Sequence, residues 1–158
     1  MGGALVRKSR IRHRRGYTLI EAMITMVVAG ILMTMGVAQL APTTVNYRVR
    51  AATNVLAGDL QYAQVLAARF GRPIVVIVVP STKQLIIRDL DTPPNLYRTR
   101  LLGQVSEYAL DNLTSTPADV MLFPNGVNQE TMTITLGLLG FERQVRMTRA
   151  GQIRIIVP

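Results

Sequence analysis

The chain has 158 residues, enough for one domain of ordinary size plus an anchoring segment. It contains no cysteine, which excludes thiolate metal sites and a disulfide scaffold. A net charge of +9 suggests an acidic partner, yet six of the 18 basic residues lie within residues 1–16, and the remainder carries 12 basic against 9 acidic side chains.

Residues 1–16 form a basic leader containing Arg7, Lys8, Arg10, Arg12, Arg14 and Arg15 and no acid. Residues 17–41 are almost wholly apolar, with Glu21 the only charge. Such a run predicts a transmembrane helix, because about 20 residues at roughly 1.5 Å each cross a hydrocarbon core of ~30 Å. The basic flank places the leader in the cytoplasm and the C-terminal part across the membrane, in a single pass. A conventional secretory signal fits less well. Its apolar core would be shorter, and neither Val37-Ala38-Gln39 nor Ala38-Gln39-Leu40 makes a good small-x-small cleavage site.

Residues 42–72 predict an amphipathic continuation of the helix. Val45, Val49, Ala52, Leu56, Leu60, Ala63, Leu66 and Phe70 recur at steps of three and four and mark one face. Asn46, Arg50, Asn54, Asp59, Gln61 and Gln64 lie mostly off it. Pro42 predicts a kink or a local break, since it lacks an amide donor and crowds the preceding turn. Gly71 is the expected C-cap, with Pro73 beyond it.

Residues 73–158 predict a β-rich head. Strands are expected at Ile74–Val79, Leu85–Arg88, Tyr97–Leu102, Ser106–Leu110, Val120–Phe123, Met132–Leu136, Gln144–Thr148 and Gln152–Val157. Ala150-Gly151 reads as a hairpin turn, and Asp91–Asn95 and Leu113–Asp119 as loops. The predicted fold is therefore α+β: a long N-terminal transmembrane and amphipathic helix packed on a C-terminal antiparallel β-sheet head.

At the leader–helix junction stands Arg14-Arg15-Gly16-Tyr17-Thr18-Leu19-Ile20-Glu21. This resembles the class III signal of type IV pilins and type II secretion pseudopilins. The resemblance implies that a prepilin peptidase cuts between Gly16 and Tyr17 and methylates the new amino terminus. Tyr17 stands where the family more often has Phe. Glycine suits the cut because, lacking a Cβ, it lets the backbone lie deep in a protease cleft. Glu21 becomes the fifth mature residue, which in the family neutralises the terminal amine of a neighbouring subunit. A carboxylate costs about 2.5–3.5 kcal/mol near the centre of a span, less near an interface, so a partner is expected. The plain alternative is a carboxylate that snorkels or is protonated. The implied partners are other pilin or pseudopilin subunits, met through residues 17–41, and the inner membrane. The head would lie in the periplasm, first membrane-anchored and then in a pseudopilus or pilus.

Residues 60–79 (LQYAQVLAARFGRPIVVIVV) join an alanine-rich helix end to a β-run. Residues 123–155 combine Phe123 and Gly126 in a turn, a Thr-Met-Thr-Ile-Thr-Leu strand, and a late strand pair around Gly151. These segments resemble the GspH/FimT family of minor pseudopilins and minor pilins, though Gln152 replaces a frequent arginine. The implied function is a structural subunit acting in filament initiation or at the tip. Because some members bind DNA, Arg143, Arg146, Arg149 and Arg154 are candidate DNA-binding residues for uptake. Four guanidinium groups could hold phosphates, while the plain reading is a solvated, charged strand face. A third possibility is an unprocessed, signal-anchored periplasmic domain.

The sequence predicts no enzyme. Its single histidine, His13, lies in the leader, and no G-x-S-x-G elbow, P-loop or dinucleotide fingerprint occurs. No catalytic residue, cofactor or metal is expected. Asp89 and Asp91 could touch a hard cation but read first as a polar turn.

Overall fold

The computed structural model describes residues 17–157, except for the side chains of residues 35–42. Gly16 and the leader lie outside the described residues. One helix, α1 (Leu19–Phe70), is followed by strands β1 (Ile74–Val79), β2 (Gln84–Asp89), β3 (Leu96–Leu101), β4 (Asn112–Thr116), β5 (Asp119–Leu122), β6 (Met132–Leu138), β7 (Phe141–Met147) and β8 (Ile153–Ile156). The described residues fall into two compact units, one up to residue 40 and one from residue 41.

Thr18 starts the helix. Its Oγ1 accepts a hydrogen bond from the Glu21 amide at 3.3 Å, and its carbonyl accepts from the amides of Glu21 and Ala22 at 3.1 Å. Thr18-Leu19-Ile20-Glu21 thus has the T-x-x-E spacing of a capping box, and Glu21 adds an acid in the first turn. At the other end Gly71 supplies the left-handed φ of +63° that stops the helix after Phe70. Helical backbone continues through Pro42, so the expected local break does not occur. Proline deletes one bond of the ladder, and the flanking bonds carry the helix on.

In the first unit every described side chain from Tyr17 to Thr34 is exposed. Among the described residues no helix is long and apolar enough to cross a membrane. The predicted span runs on through residues 35–41, whose side chains lie outside the description.

In the second unit the predicted helix face is buried from Val49 through Ala52, Leu56, Leu60, Ala63 and Leu66. Leu56 and Leu60 are wholly inaccessible, a burial that stabilises by about 1.5–3 kcal/mol per side chain. Val45 packs at the edge of this core, and Phe70 leaves it to stack on Tyr97, ring centroids 5.5 Å apart. The strands form two four-stranded antiparallel sheets, in the orders β3-β2-β1-β5 and β4-β6-β7-β8. Their inward rows, including Ile74, Val76, Leu85, Ile87, Ile134, Leu136, Val145 and Met147, join the helix face in one core.

Two strand expectations need correction. Ser106–Leu110 is not a strand but a turn: the Ser106 amide and hydroxyl both donate to the Gly103 carbonyl, and Ala109 has a φ of +49°. The expected loop at 113–119 instead contains β4, which pairs with β6 and buries Leu113. Its Asn-Leu-Thr-Ser-Thr sequence has little hydrophobic pattern, and pairing with β6 supplies what local propensity does not.

Candidate assembly helix and basic surface

The N-terminal part of α1 presents Leu19, Ile20, Met23, Ile24, Met26, Val27, Val28, Ile31, Leu32 and Met33 to its surroundings. A helix that is apolar all round belongs in lipid or among other helices. Glu21 lies on this surface one turn beyond Tyr17, and both are exposed. A free amine at Tyr17 and a carboxylate four residues on would lie about 6 Å apart along the axis. Facing helices could therefore pair them only with an axial step between copies.

The four C-terminal arginines do not form one cluster. Arg146 and Arg154 are register partners on β7 and β8, both exposed, beside Thr133 of β6. Arg146 Nε donates to Thr133 Oγ1 at 3.4 Å and Arg154 Nη2 to Gln152 Oε1 at 3.3 Å. Arg149 follows β7 in the turn, its side chain exposed and its carbonyl accepting the Asn128 amide at 2.8 Å. Arg143 shares the opposite row of β7 with buried Val145 and Met147, so it turns toward the helix.

The turn glycines of residues 123–155 meet in space. Gly151 has a φ of +78°, and a Cβ there would come within 2.4 Å of the Gly126 carbonyl oxygen. Gln64 Nε2 of α1 donates to the Gly151 carbonyl at 2.8 Å, and Asn128 Nδ2 donates to the Thr148 carbonyl at 2.8 Å. The hairpin turn is therefore clamped to both the helix and the 123–128 loop.

Asp59, expected off the apolar face of α1, is instead buried, only 2% exposed, because two arginines of β3 cover it. Arg98 Nη1 donates to its Oδ1 at 2.5 Å, while Arg100 Nε and Nη2 form a fork to Oδ2 and Oδ1 at 2.7 and 3.0 Å. The hydrogen bond from Arg100 to Asp59 raises the arginine's pKa further. Arg98 also lies over the Tyr62 ring at 4.3 Å. Asp59 stands three residues after Leu56 and four before Ala63, a spacing that places it beside the buried face.

Asp89 and Asp91 form a protein-internal network. Asp89 is inaccessible and pairs with Arg72 Nη2 at 3.0 Å; Arg72 also pairs with Asp91. Burial alone would raise the Asp89 pKa. Hydrogen bonds from the Asn95 side chain and amide, the Asp91 amide and the Tyr97 hydroxyl outweigh it and lower the value to about 2. Among the described residues no group of acids and histidines is arranged to hold a metal ion.

A long N-terminal helix laid on antiparallel sheets is the pilin-like fold. Residues 11–37 match the prokaryotic N-terminal methylation motif, and residues 52–151 match the family described as Type II transport protein GspH. The chain belongs to the GspH family, whose members are non-enzymatic structural proteins, and it is a minor pseudopilin or minor pilin of type II secretion or type IV pili. Its fold is similar to the type IV minor pilin FimU of Pseudomonas aeruginosa, at 21% identity and a TM-score of 0.56, covering 68% of this chain and 87% of that one. It is also similar to the minor pseudopilin EpsH of the Vibrio cholerae type 2 secretion system, at 13% identity and a TM-score of 0.59, covering 70% and 98%. No curated protein matches the chain. The methylation motif implies processing by a prepilin peptidase, and the family implies association with other pilins. Both are consistent with an inner-membrane and pilus location.

Proposed function

We propose that the chain is cut after Gly16, methylated on Tyr17, and held in the inner membrane by residues 17–41 until it enters a periplasmic filament. It acts there in initiation or at the tip. The observation that carries this reading is the exposed apolar helix start with Glu21 as its one carboxylate. Within lipid the cheapest partner for that carboxylate is a cation on an adjacent helix, and the terminal amine of Tyr17 on another subunit supplies one. The test is in-cell photo-crosslinking from Met23 in the native host, with wild-type and Glu21→Ala chains. Adducts with other pilin-like subunits that vanish in Glu21→Ala support the pairing. Normal filament function in the Glu21→Ala strain would sink it. An intact leader on the membrane-bound chain would favour an unprocessed anchored domain.

A second reading, DNA binding during uptake, is favoured by one observation: Arg146 and Arg154 stand side by side on an exposed sheet face. Arg149 borders that face, and Arg143 lies on the other row. In this reading the full chain in neutral detergent retards duplex DNA at low salt, and Arg146→Glu with Arg154→Glu removes the retardation. Absence of retardation even at low salt disposes of it.

A further inference from the structure

A cleft of about 440 Å³ opens at the start of the second unit, lined by Thr43, Asn46, Tyr47, Arg50, Phe141 and Arg143. The four helix residues follow the spacing i, i+3, i+4, i+7 and so share one face. Phe141 and Arg143 continue the inward row of β7 past the edge of the core, beyond Val145 and Met147. The cleft thus gathers two guanidinium groups and two aromatic rings. Neither Arg50 nor Arg143 has a carboxylate partner among the described residues. Tyr47 is 73% exposed although it is large and aromatic.

The position along the chain indicates the occupant. The apolar run ends at residue 41, and the cleft begins two residues later. Thr43 lies roughly 3 Å and Tyr47 roughly 9 Å beyond residue 41 along a helix. The polar layer of a bilayer is about 5–8 Å deep on each side. Arg50 starts farther out, but helical side chains lean toward the N-terminus, which brings its guanidinium back toward that layer. Tyr47 starts at the outer edge of that layer and its side chain leans back into it, and tyrosine is favoured at membrane interfaces, where its ring meets the headgroups. A guanidinium that reaches this layer meets lipid phosphates, which arginine can bind through charge-assisted forks.

We propose that this cleft binds the phosphate of an anionic phospholipid headgroup in the periplasmic leaflet, through Arg50 and Arg143, with Tyr47 and Phe141 against the lipid's glycerol and upper chain. The proposal rests on residues 17–41 spanning the membrane. It gives the subunit a fixed seat on the membrane surface before extraction, and the lipid must be released when the helix leaves.

Native mass spectrometry of the full chain in neutral detergent, with equal amounts of phosphatidylglycerol and phosphatidylcholine added, tests it. Wild type retains phosphatidylglycerol preferentially. Arg50→Gln with Arg143→Gln lowers that retention by about tenfold. Arg50→Lys with Arg143→Lys keeps much of it, which separates loss of charge from misfolding, and Arg69→Gln, at an exposed position on α1 outside the cleft, leaves it unchanged. Equal retention of the two lipids overturns the proposal, as does an equal loss in Arg69→Gln. Displacement of the lipid by inorganic phosphate at low concentration also overturns it, by showing a site for the free ion. The same spectra give the chain mass, so an unprocessed leader, which would count against the filament reading, is seen separately from headgroup binding.

Discussion

The two stretches of α1 on either side of residues 35–42 are built from similar apolar residues and meet opposite fates. Residues 19–34 expose apolar side chains in every direction, while residues 43–70 bury one stripe and turn the other side to water. The difference is periodicity. The first stretch is apolar on every side apart from Glu21, Thr25 and Thr34, so no single sheet could cover it. The second alternates at helical spacing and is satisfied by its own chain. A single helix thus carries one face covered by its own fold and one apolar stretch whose described side chains are exposed.

Substitutions can break this contrast in graded steps. Leu60→Ala, in the buried stripe, should lower head stability by about 3–4 kcal/mol because the wholly enclosed side chain leaves a cavity; urea unfolding followed by circular dichroism reads it. On the proposal that residues 17–41 span the membrane, Val28→Arg should leave that curve unchanged and instead cost about 3 kcal/mol of membrane insertion, seen as loss from the membrane fraction. Asp59→Asn should cost about 2 kcal/mol of stability. It weakens three charged hydrogen bonds, but the two arginine side chains are 37% and 30% exposed, so water takes up part of the loss.

A smaller effect appears only in acid. Asp89 has its folded pKa lowered to about 2 from an ordinary 3.8. Its ionised form binds the native state more strongly, so its contribution is complete above pH 3.8 and is lost as pH falls through about 2. The stability advantage of wild type over Asp89→Asn should shrink across that window in acid titrations. Least of all, Val65→Gln, on the exposed side of the helix, should change stability by less than about 0.5 kcal/mol. A large loss there would show that the second stretch has another partner.

Much of this architecture is legible in the sequence because it is written in local patterns. The steps from Val49 to Leu66 announce the buried stripe, and the β-branched run at Ile74–Val79 becomes β1 without shift. What escapes notice depends on distant partners. Asp59 looks like a surface acid until Arg98 and Arg100, about 40 residues away, are brought to it. Strand β4 has one strong inward residue, Leu113, and exists through β6. The four arginines seem one cluster in the chain, but strand alternation sends Arg143 to the opposite row from Arg146. That same separation makes the Arg50–Arg143 cleft visible only in three dimensions.

The Asp59 clamp also has a mechanical meaning. It joins the helix to β3, at the edge of a sheet, through one bidentate and one single charged contact. A pull along the helix axis loads every contact between helix and sheets. Contacts distributed along that axis, from Val49 to Leu66, share such a load in shear instead of failing turn by turn. The clamp lies between the ends of this series and ties the helix to two side chains of β3 by directional bonds, which resist sliding where apolar contacts only resist separation. In this molecule a buried carboxylate serves as a rivet between helix and sheet.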